Sequence, residues 1–377
     1  MSAGVQAGPM RWVVYLDIDA YYVSCELRDR PDLAGRPVIV GPDPGLGPTR
    51  GVVLSASYEA RKFGVRSAMP AREAARRCPD AVWIAADFPK YGRTAEEVRT
   101  LLRARFGDVV PLSIDEAAVG VEADDDAAVG AVAVSVQAEL RTTLGLPASI
   151  GVATSRTVAK IASDRAKPGG VVVVRPESVA AFLAPLPIRS VPGVGPKTEV
   201  RLASYGVATV GDLAKGLPLG ARREFGDMAR WLVRLARGES LPESTSDDGS
   251  PRSRSSDHTF VADVSDPREV EVAVDSLARD LAESLTKERL RFQSVAVGVR
   301  WEDFTRTTRS RTLPAASEGP ERLASTARRL FEELWAAEAL GKRRKVRTVS
   351  VHTERFQTAT DRQLRLDGFE ERSGPST

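Results

Sequence analysis

The chain of 377 residues carries 54 lysines and arginines against 51 acids, a net charge of +3, and is 42% hydrophobic. That composition supports two or three globular domains with cores of their own, and its near balance of charge excludes a global basic field as a reason to expect nucleic acid, leaving local patches. Two cysteines, Cys25 and Cys78, in no paired-ligand spacing, and two distant histidines, His258 and His352, argue against a disulfide scaffold, a zinc site or histidine chemistry and for a reducing cytoplasm.

Residues 1–10 lack a basic region followed by an apolar stretch, so a disordered tail is expected rather than a signal peptide, and no membrane contact. Next comes RWVVYLDIDAYYVSCE, residues 11–26. Val13 to Leu16 reads as a buried strand and Ala20 to Leu27 as a helix, which leaves Asp17 and Asp19 at a strand end. Acids there are costly to bury unless paired or metal-bound, so the pair is a cation site or a solvated turn. Arg36 to Val40 and Val52 to Ser57 read as strands around a turn-rich connector without Walker spacing. Tyr58 to Phe63 opens a helix on which Tyr58 and Arg61 share a face. Ala95 to Phe106 and the spacing Val132, Val136, Leu140 predict two core-facing helices.

Val109 to Ile114 and Ala117 to Val121 form a predicted hairpin with Asp115 and Glu116 at its tip. Two acidic strand tips can converge on hard cations, and two such ions about 3.5–4 Å apart clamp the attacking and leaving oxygens of an in-line phosphoryl transfer. Asp17, Asp115 and Glu116 are the candidate metal ligands, with the carbonyl of Ile18. Ala148 to Ala153 reads as a strand, Ser155 as a cap and Val158 to Arg165 as a helix stopped by Pro168. Lys167, at that stop, suits the helix's negative end.

Leu183 to Leu213 is helical in pattern around VPGVGPK, residues 191–197. This is a plain turn or a helix-hairpin-helix in which Gly193 and Gly195 let backbone amides approach a DNA phosphate, with Lys197 beside them. Residues 238–256, rich in Ser, Pro, Gly and charge, form a linker. Beyond it the order βαββαβ predicts a two-layer domain. Arg306, Arg309 and Arg311 are expected to share one strand face and, with Lys342 to Lys345 and Arg347, to form a phosphate-contacting surface or a solvated one.

The strings LDIDAYY, SYEARKFG, SIDEA and AKIASDRAKPGG, in this order, closely resemble the Y-family DNA polymerases of the DinB, or polymerase IV, type, from about Trp12 to about Glu354. The resemblance implies an α+β multidomain right-hand polymerase: palm (11–20 and 81–175), fingers (21–80), helix-hairpin-helix thumb (176–238), linker (239–255), βαββαβ little finger (256–354) and a flexible tail (355–377). It implies template-directed addition of dNTPs to a primer 3′-hydroxyl, of translesion type and low fidelity. Two Mg2+ ions, for which Mn2+ can substitute, would sit on Asp17, Ile18, Asp115 and Glu116.

By the same resemblance Tyr58, Arg61 and Lys167 take the triphosphate, with Lys160 a second lysine for it, and Tyr21 and Tyr22 lie at the nucleotide. Tyr22 holds the steric-gate position against ribonucleotides, the alternative being helix-to-sheet packing. Gln363, Leu364, Leu366 and Phe369 resemble a sliding-clamp peptide, with Asp367 departing from the bacterial form, so the clamp's type stays open. Ala118 stands where a tyrosine is usual, and Val52, Leu54 and Ala68 are bulkier than the residues common over the nascent base pair, which implies narrower lesion bypass. Primer-template DNA, dNTP and a clamp are the expected partners of a monomer. The rivals are a non-catalytic scaffold, against which the three carboxylates argue, and a nucleotide cyclase, which leaves thumb and little finger unexplained.

Overall fold

The computed structural model describes residues 10–47, 50–239, 251–338 and 344–358, and the chain divides into two compact units, Met1–Thr245 and Ser246–Thr377. In the first unit, strand β1 (Met10–Ile18) sends Trp12, Val14, Leu16 and Ile18 to one face of a sheet and Val13, Tyr15 and Asp17 to the other, as a period of two requires. Helix α1 (Tyr21–Asp29) follows. Strands β2 (Val38–Val40) and β3 (Ser55–Ala56), helices α2 (Tyr58–Arg61) and α3 (Ala71–Arg77), and strand β4 (Val82–Ile84) build a small sheet in the order β3-β2-β4. It packs over its own core of Ile39, Val53, Val65 and Met69. The strand expected over 52–57 shrinks because Val53 bonds Ala68 and Met69 instead.

Helix α4 (Phe88–Phe106), the hairpin of β5 (Val109–Pro111) and β6 (Glu116–Ala123), helix α5 (Asp126–Leu144), strand β7 (Ala148–Ala153), helix α6 (Arg156–Ala166) and strand β8 (Val171–Val173) complete a five-stranded sheet ordered β5-β6-β1-β7-β8. Asp125 and Ser155 cap α5 and α6, each side chain accepting from a backbone N–H three residues on, which satisfies donors the helix leaves orphaned. Helices α4 and α5 bury the Trp12 face through Leu102, Val136 and Leu140. Burying Leu102, Leu140 and Ile150 completely contributes about 1.5–3 kcal/mol each. The opposite face is covered in part by α6, which lies so close on β7 that a Cβ at Gly151 would stand 2.0 Å from the Ala159 carbonyl oxygen.

That side shares its core with a helical segment: α7 (Val179–Leu183), α8 (Pro196–Ala203), α9 (Val210–Ala214), α10 (Leu219–Phe225) and α11 (Asp227–Ala236).

The second unit runs β9 (Ser253–Val264), α12 (Pro267–Lys287), β10 (Leu290–Trp301), β11 (Arg306–Ser317), α13 (Pro320–Glu338), β12 (Val346–Glu354) and a short β13 (Gln357–Thr358). Its main sheet is antiparallel in the order β11-β10-β12-β9. Val295, Val297, Val299 and Trp301 alternate into the core, where they meet Val270, Val274, Leu277 and Leu281 of α12 and Leu330, Phe331 and Leu334 of α13. Strand β9 starts at Ser253, inside the expected linker. Its first residues are polar, and they are recruited by the backbone ladder to β12, where Arg254 faces Thr353 and Ser256 faces Val351.

Candidate active site

At the end of β1, Asp17 stands directly between Glu116 on β6 and Ser149 on β7. The Ile18 N–H donates to the Asp115 carbonyl at 3.0 Å, so the two acidic strand tips are tied together. Asp17, Ile18, Asp115 and Glu116 border one cavity of about 400 Å³. Tyr22, Tyr58, Arg61 and Lys167, contributed by α1, α2 and the segment after α6, border it too.

Tyr21 and Tyr22 differ by about 100° around α1, and the structure separates them. Tyr21 is 4% exposed and its hydroxyl donates to the Tyr91 carbonyl at 2.7 Å. Tyr21 thus borders the cavity with its hydroxyl turned into the core. Tyr22 keeps to the cavity wall, its ring 4.6 Å from that of Tyr91 and edge-on to Phe88 at 6.2 Å. Tyr91 is itself fixed by donating to Glu26 Oε1 at 2.8 Å. Leu54 also lines the cavity, whereas Val52 is 40% exposed.

Asp19 proves to be neither cation ligand nor solvated turn. It is 2% exposed and accepts from Ser149 Oγ at 2.9 and 3.0 Å, from the Gly169 N–H at 2.8 Å and from the Tyr58 hydroxyl at 3.0 Å. A buried carboxylate so surrounded is satisfied, and it fixes both Tyr58 and the backbone beside Lys167. Arg61 lies over the Tyr58 ring at 4.7 Å and donates through Nε to the Ala56 carbonyl at 3.0 Å.

Two lysines occupy the carboxylates. Lys167 Nζ lies 2.5 Å from Asp17 Oδ2, and Lys160 Nζ lies 2.5 Å from Glu116 Oε1 and 3.1 Å from the Tyr15 hydroxyl. Lys160, expected at the triphosphate, thus reaches the hairpin instead. Burial raises the Asp17 carboxyl to about 7, Lys167 opposes the rise, and the charges of Glu116 and Asp115 add to it. Burial would raise Glu116 as well, but the Lys160 ammonium outweighs it and leaves this carboxyl below its ordinary range. Burial pushes the Tyr15 phenol up to about 12 and the Tyr58 phenol to about 12, in the second case with help from Asp19.

Among the described residues no three acidic, histidine or cysteine side chains are gathered closely enough to hold a metal ion. The ammonium groups and Ser113, which donates to Asp115 Oδ1 at 2.5 Å, take up the carboxylates instead. The donor set still fits hard divalent cations: its ligating atoms are carboxylate oxygens, and both the burial that raises Asp17 and the smaller repulsion from Glu116 and Asp115 are offset by added positive charge.

In the helical segment a Cβ on Gly193, at φ 87°, would meet the Trp231 ring at 2.7 Å, whereas Gly195 borders open space at the start of α8 and Lys197 is exposed. Packing therefore requires glycine at 193, and Gly195 leaves its backbone accessible. In the second unit the three strand arginines do not share a face. Arg309 and Arg311 pair with core-facing Val297 and Val295, and Arg311 donates to Glu333 of α13 at 2.7 Å. Arg306 pairs with Arg300 and reaches His352 and Ser350 on the face without helices, at 3.0 and 3.5 Å. The offset of three between 306 and 309 changes sides in a period of two. Arg347 stacks on Phe304 at 4.5 Å. Lys342 and the clamp-peptide residues Gln363, Leu364, Leu366 and Phe369 lie outside the described residues.

The fold is that of a right-hand polymerase. A chimera of the Y-family DNA polymerases Dbh and Dpo4 superposes with a TM-score of 0.80 at 24% identity, covering 92% of this chain and 99% of the other. Residues 16–164 match the impB/mucB/samB family, 176–207 its helix-hairpin-helix motif and 251–366 its C-terminal domain. A protein of Methanoculleus marisnigri named DNA polymerase IV is 40% identical over 95% of this chain and 98% of its own length. One of the same name from Alkalilimnicola ehrlichii is 38% identical over 94% and 98%. The chain belongs to the impB/mucB/samB family, the Y-family polymerases of DinB type.

Proposed function

We propose that the protein is a translesion DNA polymerase that adds dNTPs to a primer 3′-hydroxyl on a DNA template, as the name DNA polymerase IV describes its relatives. The observation that carries this reading is the single cavity on which Asp17, Asp115 and Glu116 converge with Tyr58, Arg61, Lys167 and Tyr22. Asp17, Asp115, Glu116 and the Ile18 carbonyl would hold two Mg2+ ions, with Mn2+ as substitute, which supply charge neutralisation and polarise the reacting oxygens.

The chain's own groups do the rest. Arg61 offers a planar fork to phosphate oxygens and Lys167 a point charge. Tyr58, whose hydroxyl proton is engaged by Asp19, stands beside them with its ring under the Arg61 guanidinium. Tyr22, backed by Tyr91 and Phe88, is a rigid wall where a 2′-hydroxyl would clash. Gly195, Lys197 and Arg306 are assigned to the DNA backbone, and the tail with Gln363, Leu364, Leu366 and Phe369 to a sliding clamp that raises an otherwise low processivity. The protein is assigned to the cytoplasm as a monomer. No helix among the described residues is long and apolar enough to cross a membrane.

The test is primer extension with Mg2+ on undamaged template, comparing dNTPs with rNTPs. Extension with dNTPs is expected to vanish in Asp115→Ala/Glu116→Ala, and Tyr22→Ala is expected to admit rNTPs. Extension that persists in the double variant would overturn the carboxylate assignment. No extension by the wild type with DNA binding retained would make the protein a scaffold, and unchanged sugar discrimination in Tyr22→Ala would remove the gate.

A further inference from the structure

Glu116 is held by two groups that play no part in the reaction scheme above. Lys160, on the second turn of α6, reaches across the end of β1 to Glu116 on β6, with its ammonium 5.0 Å from the centroid of the Tyr15 ring. The same ammonium lies 3.1 Å from the Tyr15 hydroxyl and 2.5 Å from Glu116 Oε1. Tyr15 is 2% exposed, and its register partner on β6 is Ala118. Side chains opposite each other on antiparallel strands stand about 4.5–5.5 Å apart at Cβ, so a small residue at 118 leaves room for the phenol ring beneath the lysine. Lys160 and Tyr15 also border a second cavity of about 550 Å³, whose lining includes Arg156 and Trp231, and neither borders the one that holds Tyr22, Tyr58 and Arg61.

We infer that Lys160 and Tyr15 form a positioning pair for Glu116. The ammonium takes one carboxylate oxygen, Oε1, and so leaves the other, Oε2, aimed for a cation, while the phenol fixes the long lysine side chain in that pose. The inference rests on the reading of Glu116 as a metal ligand. Groups that hydrogen-bond a ligating carboxylate restrict its rotation, and their loss typically costs about 10–100-fold in metal affinity or activity. Lys167 differs in kind: it sits in the nucleotide cavity itself and is placed to touch substrate.

The experiment measures Mn2+ binding by electron paramagnetic resonance on the full chain with dideoxy-terminated primer-template and dNTP, beside kcat and KM for extension of an ordinary primer. Lys160→Met is expected to weaken Mn2+ binding about tenfold or more and to lower kcat by a like factor, with the KM for dNTP unchanged. Lys160→Arg is expected to recover most of both. Tyr15→Phe, which removes a single oxygen and keeps the ring, is expected to lose less, and to add nothing in the Lys160→Met background, as partners acting through one group do. Mn2+ binding that is unchanged or tighter in both Lys160→Met and Tyr15→Phe would overturn the pairing. Glu116→Gln separates the two readings: if it leaves Mn2+ binding intact, the metal-ligand assignment falls and the pairing with it. If Glu116→Gln weakens binding and the Lys160 and Tyr15 variants do not, the pairing alone falls.

Discussion

Asp17 sets how the site responds to pH. Its carboxyl, raised to about 7 by burial and by the neighbouring acids, holds a proton in the folded chain between about pH 4 and 7 that the unfolded chain has released. The stability this contributes is fully present below about pH 4 and is lost as pH rises through 7. Cation binding has the opposite preference, since it needs the carboxylate. Extension at subsaturating Mg2+ is therefore expected to fall about tenfold per pH unit below 7, and saturating Mg2+ to restore it. A rate that does not change between about pH 6 and 7.5 at low Mg2+ would refute the link to Asp17. The carboxylates themselves were legible in the sequence because acids at strand exits need a reason to be there. Tyr15, Tyr91 and the true role of Asp19 were not. A tyrosine in an apolar run reads as core, and nothing in one chain's sequence says that its hydroxyl will meet a lysine 145 residues away.

Among the elements, β11 offers the sharpest comparison. Its arginines were legible as a basic strand, but the proposed common face ignored the alternation that the same reasoning used elsewhere. The structure gives Arg306 to the face without helices and Arg311 to Glu333 on the helix side. Arg306→Ala is expected to weaken DNA binding and to reduce the slope of log affinity against log salt by about one, as loss of one phosphate contact does. Arg311→Ala should leave that slope as it is, since its charge is already engaged. Equal slopes in the two variants would remove Arg306 from the DNA-binding surface. The long helices α4, α5, α12 and α13 were legible in the sequence, whereas α3 (Ala71–Arg77) was not, being too short to repeat an apolar stripe. The start of β9 was not, because Ser253 to Ser256 carry no apolar alternation and are ordered by pairing with β12.

On the scale of the whole molecule, the chain divides into two units with separate cores, and the second runs βαββαβ before a short last strand. The proposed clamp peptide lies beyond Thr358, outside the described residues. Removing residues 359–377 is expected to leave basal primer extension unchanged and to abolish stimulation by a sliding clamp loaded on the template. Stimulation that survives the truncation would place clamp binding elsewhere in the chain.

The hydrogen bond from Tyr58 to Asp19 reaches further than its length suggests. It joins α2, in the small three-stranded layer, to the central strand of the main sheet before any nucleotide arrives, and Gly169 shares the same carboxylate. Parting them would strand neither carboxylate oxygen, since Ser149 and the Gly169 N–H still donate to Asp19, so what is lost is one hydrogen bond to a charged group, about 1.5–3 kcal/mol. The contact thus ties the helix that carries Tyr58 and Arg61 to the strand that carries Asp17.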